Sequence, residues 1–299
     1  MVAIATPAAF LPPLGASLAT HTPHPASRLC RHPSSPRNGG GMASRRLCTM
    51  EAALEGAAGG GAPSPSPSPI PDSRAAMPPL AAAAIRAART AGVRRMEVTF
   101  PPVDASSSAS LSAVYAASVA FSRSLLRRLD APPLTVVAPD ATAATEFAPP
   151  PPHVAVGSPR RGAIAPAPGG VLFVAPGFNV DEYIVAEGVT PPGGEAIVVN
   201  GAVDKVRPGG GWWGYYPVLF YPEVARVGER YWKDFVEVFF VKAMGDGGLL
   251  VRVWPGDWTV WFTAGGGGAE VVWCGKERPP YPEVAKMLRA RLVEEQLKR

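Results

Sequence analysis

Apolar residues follow two spacings along this chain, and the balance between them shifts past its middle. Met96, Val98 and Phe100 alternate with Arg95, Glu97 and Thr99. That period of two predicts a strand over 94–100, which Pro101 and Pro102 end. Residues 80–91 are alanine-rich, open after Pro78 and Pro79 and close at Gly92, which is helix chemistry. Leu111, Val114, Tyr115, Ser118, Val119, Leu125, Leu126 and Leu129 fall near helical spacing, so a second helix is predicted over 111–129. Short apolar runs at 134–138, 171–175 and 196–199 predict strands, and 181–187 predicts a helix between the last two. Short apolar runs separated by helices suit parallel strands covered on both faces.

From Pro222 the pattern changes. A helix is predicted to about residue 234, followed by an aromatic and β-branched run over 235–243. That run alone is compatible with a helix. The hairpin signal Gly245-Asp246-Gly247-Gly248 after it decides for a strand. Further strands are predicted at 249–254, 258–263 and 270–274, separated by Pro255-Gly256 and by the glycines at 265–268. A last helix starts at Pro282, with Val284, Leu288 and Leu292 on its apolar side. The predicted fold is therefore α/β and three-layered: one domain whose mixed sheet is parallel in its first half and an antiparallel meander in its second. The Pro- and Gly-rich stretch 149–170 has no place in that pattern, and no internal repeat is present.

Ahead of this region the composition differs. Residues 1–50 contain no Asp or Glu but five arginines, Arg28, Arg31, Arg37, Arg45 and Arg46, amid many Ser, Thr, Ala and Pro. Organelle transit peptides have this composition. Pro7, Pro12, Pro13, Pro23 and Pro25 oppose the amphipathic helix of a mitochondrial presequence, so a chloroplast leader is expected, cleaved near 47–50. Arg45-Arg46 resembles a twin-arginine signal. Glu51 and Glu55 spoil the hydrophobic core that would follow it, which favours the stroma over the thylakoid lumen. Residues 51–77 read as a Gly/Pro/Ser linker that buries nothing, and 78–299 as the folded domain.

Subtracting the leader changes the chemistry. The chain carries 29 basic and 24 acidic residues, net +5. All five leader charges are basic, so the remainder is neutral and nucleic-acid binding is not expected. The arginine pairs 94–95, 127–128 and 160–161 read as solvated element ends. His21, His24, His32, Cys30 and Cys48 also fall in the leader, which leaves His153 and Cys274. Those two residues cannot build a structural zinc site or an internal disulfide. No phosphate-binding glycine motif occurs, so no catalytic residue, metal or cofactor is assigned. The uncharged run 105–122 holds seven serines and is too polar for lipid, and no membrane span is expected.

Two groups remain as candidate sites. Asp140, Asn179 and Asn200 each follow a predicted parallel strand and would rim one edge of the sheet, where α/β folds bind ligands. Asp and Asn are also favoured turn and cap residues, and that role competes with a ligand role. Trp212, Trp213, Tyr215 and Tyr216 crowd a glycine-rich loop and are candidates for partner binding, or for anchoring that loop on the core.

Several segments in order resemble one family. The opening is Pro78-Pro79 with its Ala-rich helix, followed by Glu97-Val98 before Pro101-Pro102. The middle is Val-Val-Ala-Pro-Asp140, Phe-Val-Ala-Pro176 and Val-Val-Asn200. The third block is Phe235-Val-Glu-Val-Phe-Phe-Val241, then Leu-Val-Arg-Val-Trp-Pro255 and Trp258-Thr-Val-Trp261. Over roughly 78–275 the chain resembles the plant and cyanobacterial domain of unknown function 1995, whose members are similar to chloroplast "low photosystem II accumulation" proteins. A related domain is joined to a chloroplast adenylate kinase, but the phosphate loop of a kinase is missing here. The resemblance implies a factor in photosystem II assembly and supplies no catalytic residues. The expected function is a non-enzymatic chloroplast auxiliary protein, stromal or peripheral to the thylakoid, that binds thylakoid or photosystem II assembly proteins. The alternative is a small-ligand or nucleotide-binding domain, or an enzyme, working through the Asp140/Asn179/Asn200 rim.

Overall fold

The computed structural model describes residues 66–101, 110–130, 134–148, 154–157, 164, 168–177, 179–208, 215–245, 247–263 and 268–297. Among them, nine strands form one sheet: β1 (Arg95–Thr99), β2 (Leu134–Val137), β3 (Val154–Gly157), β4 (Gly170–Val174), β5 (Glu195–Val199), β6 (Val236–Met244), β7 (Gly248–Val253), β8 (Trp258–Phe262) and β9 (Glu270–Gly275). Their order is β3-β2-β4-β5-β1-β6-β7-β8-β9. Every pairing from β3 to β6 is parallel, and every pairing from β6 to β9 is antiparallel. This is the expected mixed sheet with its change of character at 235–243. Strand β6 joins the two halves, pairing with β1 on one side and β7 on the other.

The helices are α1 (Met77–Thr90), α2 (Leu111–Leu126), α3 (Ala141–Thr145), α4 (Val180–Val189), α5 (Pro222–Arg230) and α6 (Tyr281–Leu297). Prolines at the first turn start α1 and α5, where the missing N–H costs nothing. Side-chain caps start the next three: the side-chain oxygens of Ser110, Asp140 and Asn179 accept from Ala113, Ala143 and Asp181 N–H. Two elements were hidden from pattern reading. The helix α3 is a single short turn, and β3 lies within the stretch 149–170, where it pairs with β2 at the sheet edge. The helix expected to reach residue 234 ends at Arg230, and a 3-10 turn, Trp232–Asp234, follows.

Alternation along the strands divides the core between two faces. On the first, Met96, Val98, Val136, Leu172, Ile197, Phe239 and Val251 pack with α1, α2 and α3 in one cluster spanning both halves of the sheet. On the second, Phe173, Val198 and Trp232 pack with α4 and α5. Phe240, Leu250, Trp258 and Phe262 form a separate cluster under α6. Gly248 permits that last packing, because a Cβ there would meet the Leu288 side chain. Helices thus lie on both sides, giving three layers.

One segment corrects the sequence reading. The stretch 66–68, taken for linker that buries nothing, is bonded to the β7–β8 region. Ser68 is 1% exposed. Its N–H donates to Thr259 Oγ1 at 2.9 Å, its hydroxyl donates to Asp257 O at 2.7 Å and accepts from Val253 N–H, and its carbonyl accepts from Trp261 Nε1 at 3.0 Å. A Ser-Pro repeat carries no hydrophobic signal, so a docking made entirely of hydrogen bonds is invisible to periodicity.

Candidate functional site

On the second face, the two apolar clusters are separated by an ionic network over β1 and β6. Glu97 points to this face because Met96 and Val98 point to the other, and β5 and β6 flank it in a central strand. It is 2% exposed. Arg207, beyond the 3-10 turn Val203–Lys205, donates to Glu97 Oε2 at 2.7 Å and to Phe235 O at 2.9 Å, and also bonds Glu237 Oε1. Arg278 makes a two-pronged contact to Asp204 at 2.7 Å on each oxygen, reaches Glu237 at 3.2 Å and donates to the Tyr281 hydroxyl. Tyr281 in turn donates to Asp204 at 3.0 Å.

The electrostatics follow from this geometry. Burial raises the Glu97 carboxyl to about 7; Arg207 opposes the rise, while Glu237 and Asp204 add to it. Burial also pushes the Asp204 carboxyl up, but the hydrogen bonds and charge of Arg278, with help from Tyr281 and Arg207, hold it below its ordinary value. Lys242 is shifted down, by desolvation first and by Arg278 as well.

Beside this network lies a crevice. The connection after β1 runs to α2 on the first face, whereas the connection after β5 leads to α5 on the second. Adjacent parallel strands whose connections diverge in this way leave a gap at their carboxyl ends, the usual place for a ligand. Here the gap is a cavity of about 500 Å³ lined by Thr99, Phe100, Asn200, Lys205, Lys242 and Tyr281 among others. Strand β6 continues past the end of β1 and forms one wall. The turn after β5 forms another, with Asn200 (φ 50°) and Ala202 (φ 47°) both left-handed. A second divergence, between β2 and β4, holds a smaller apolar cavity of about 180 Å³ lined by Val137, Phe173 and Val185.

The rim expected from the sequence is at the carboxyl edge of the parallel strands, and one side-chain oxygen of each member accepts from a backbone N–H. Asp140 and Asn179 cap α3 and α4. Asn200 Oδ1 accepts from Phe100 N–H at 2.9 Å and its Nδ2 donates to Ser118 Oγ at 3.2 Å, tying β5 to β1 and α2. Of the three, only Asn200 lines the larger cavity. The groups that dominate this edge, Glu97, Asp204, Arg207, Glu237, Lys242, Arg278 and Tyr281, were not singled out from the sequence. Glu97 read as the polar side of an alternating strand, and Glu237 fell within a run read as aromatic and β-branched. The available signal was a charged residue in mid-strand of a sheet predicted to be covered on both faces.

The aromatic loop is partly described. Trp212 and Trp213 lie outside the described residues. Tyr216 is anchored edge-on against Tyr183 (6.1 Å) and Tyr221 (5.2 Å). Tyr215 is exposed, and Lys205 Nζ sits 4.5 Å from its ring centre. The Pro217 carbonyl accepts from Phe220 and Tyr221 N–H, closing a turn that presents Leu219 (71% exposed) and Phe220 (70%) to solvent. Sequence reading stopped at Tyr216 and missed these two.

Among the described residues, no helix is long and apolar enough to cross a membrane, and no group of three or more His, Cys, Asp or Glu side chains could hold a metal ion. Compared with known proteins, residues 71–286 match the family described as "Domain of unknown function (DUF1995)". No curated protein and no solved structure matches the chain significantly.

Proposed function

We propose, from the premise that the chain belongs to the DUF1995 family, that it is a non-enzymatic chloroplast factor that binds proteins during the assembly or accumulation of photosystem II. The observation that carries the protein-binding part is the apolar turn at 218–221. Val218, Leu219, Phe220 and Tyr221 are consecutive and exposed, on a loop that Tyr216 fastens to the core. Contiguous exposed apolar surface on a rigid support is the usual mark of a protein contact. Aromatic and large aliphatic tips supply the anchoring contacts of such surfaces. The compartment rests on the acid-free, arginine-bearing first fifty residues. The photosystem II assignment rests on the resemblance to the "low photosystem II accumulation" proteins.

Two experiments test this. Tagged protein is used to capture photosystem II core and assembly subunits from chloroplast extract, and the double variant Leu219→Ser, Phe220→Ser is run beside it. Capture should fall at least ten-fold, because losing two hot-spot side chains of about 2 kcal/mol each exceeds that, while the melting temperature stays unchanged. Undiminished capture by the variant would remove the loop from the binding surface. Plants lacking the protein should also accumulate less photosystem II core. Normal core levels with normal synthesis rates would defeat the assignment to photosystem II.

A further inference from the structure

We propose that the crevice between the carboxyl ends of β5 and β1 binds a small organic anion, a carboxylate or phosphate ester on an apolar body, through Lys242 and Lys205. The position is separate from the exposed turn at 218–221 and does not depend on that surface binding a protein.

Lys205, Lys242, Glu97 and Asp204 line this crevice, and Arg207, Arg278 and Glu237 belong to the ionic network beside it, so four cations meet three carboxylates here. The division of partners among them is uneven. The two arginines are consumed by the three carboxylates. Among the described residues, neither lysine forms an ion pair. Each ammonium rests instead on a ring: Lys242 Nζ is 3.9 Å from the Tyr281 ring centre and Lys205 Nζ is 4.5 Å from that of Tyr215. A ring face holds a cation in place without neutralising it. The charges of Asp204 and Glu97 reach Lys242 through space, but neither carboxylate pairs with it; two positioned ammonium groups on one cavity, neither in an ion pair, are an arrangement that an anion completes. Arg207 and Arg278 supply two positive charges against the three carboxylates, so it is the two lysines that turn the formal balance of the cluster to net +1, the excess an anion would meet.

The body of the ligand follows from the rest of the lining. Phe100, Val114, Phe240 and Val241 supply apolar wall, and Thr99 supplies a hydroxyl that donates to Glu97 Oε1 at 3.1 Å. A volume of about 500 Å³ accepts a metabolite-sized molecule. Inorganic phosphate alone would leave most of that wall in contact with water. The wall formed by the turn after β5 is rigid, because Asn200 bonds both β1 and α2.

The test is isothermal titration calorimetry on the full chain with three probes: phenyl phosphate, 3-phenylpropionate and its uncharged twin 3-phenylpropanamide. At least one anion should bind, and the amide about ten-fold more weakly or not at all, since a charge-assisted contact is lost. Preference between the two anions identifies a phosphate-ester or a carboxylate ligand. Lys242→Met should weaken binding about ten-fold with the fold retained by circular dichroism. Ala202→Asp, which adds a negative charge to the same wall and brings in a residue type more tolerant of left-handed backbone than alanine, should abolish binding independently. Leu219→Ser, Phe220→Ser should bind the anion normally. Equal binding of the amide, unaltered affinity in both Lys242→Met and Ala202→Asp, or no binding of either anion at millimolar concentration overturns the site.

Discussion

The two faces of the sheet solve the same packing problem differently. The first buries one continuous apolar cluster from β2 across to β7, roofed by α1 and α2. The second is interrupted: one cluster lies under α4 and α5, another under α6, and between them sit Glu97, Arg207, Glu237, Asp204 and Arg278. An apolar face gains stability from area, is non-directional, and depends little on which residue meets which. An ionic seam gains little net stability, because desolvation offsets most of the attraction. It does place charges at fixed points. Both faces therefore draw stability from apolar burial, the first in one block and the second in two, and only the second places fixed charges between its blocks.

The largest effect should come from the continuous face. Phe239→Ala removes a fully buried ring next to Phe121. It should cost about 4 kcal/mol by urea denaturation, the range for truncating a core aromatic. A loss below about 1 kcal/mol would mean the face is not continuous in solution. The seam should break by a different mechanism. Arg207→Met leaves Glu97 and Glu237 short of a partner and should cost about 3 kcal/mol. Adding Glu97→Gln should restore part of that, giving measurable coupling in a double-mutant cycle; purely additive losses would show that the pair is not a unit.

The seam should also be the pH-sensitive part. Because burial raises Glu97 to about 7, its contribution is complete below the unfolded value near 4.5 and is lost as pH rises to about 7. At one pH unit per 1.36 kcal/mol this is at most about 3 kcal/mol. Asp204 acts oppositely, its contribution fading as pH falls through its lowered value. Stability measured from pH 4.5 to 8 should therefore decline in the wild type more steeply than in Glu97→Gln. Parallel curves would place the titration elsewhere. The smallest effect is at the crevice wall. Ala202 holds a left-handed conformation, and Ala202→Gly should stabilise by about 1 kcal/mol. A destabilised variant would mean that the turn after β5 adopts another backbone in solution.

Much of the fold was legible in particular residues. Prolines 78, 79 and 222 marked helix starts, and Gly245 to Gly248 marked the hairpin that turns the sheet antiparallel. The candidate rim was legible in position. Asp140, Asn179 and Asn200 sit at the expected edge, yet each has its oxygen committed to a backbone N–H. Cap and ligand roles select the same residue types, so only geometry separates them. The docking of Ser68 escaped because it is made by hydrogen bonds, which leave no period in a sequence.

By itself the sequence determined most of the helices and strands and where the sheet changes from parallel to antiparallel. These depend on neighbours a few positions apart. Only the tertiary structure decided which charges are buried and whom they meet. Glu97, Arg207 and Arg278 are separated by 110 and 71 positions along the chain, and Coulomb attraction and desolvation depend on distance and surroundings in space, which no local pattern records. The same reason explains Lys242 and Lys205. That neither forms an ion pair among the described residues is a fact about neighbours that folding alone brought within reach.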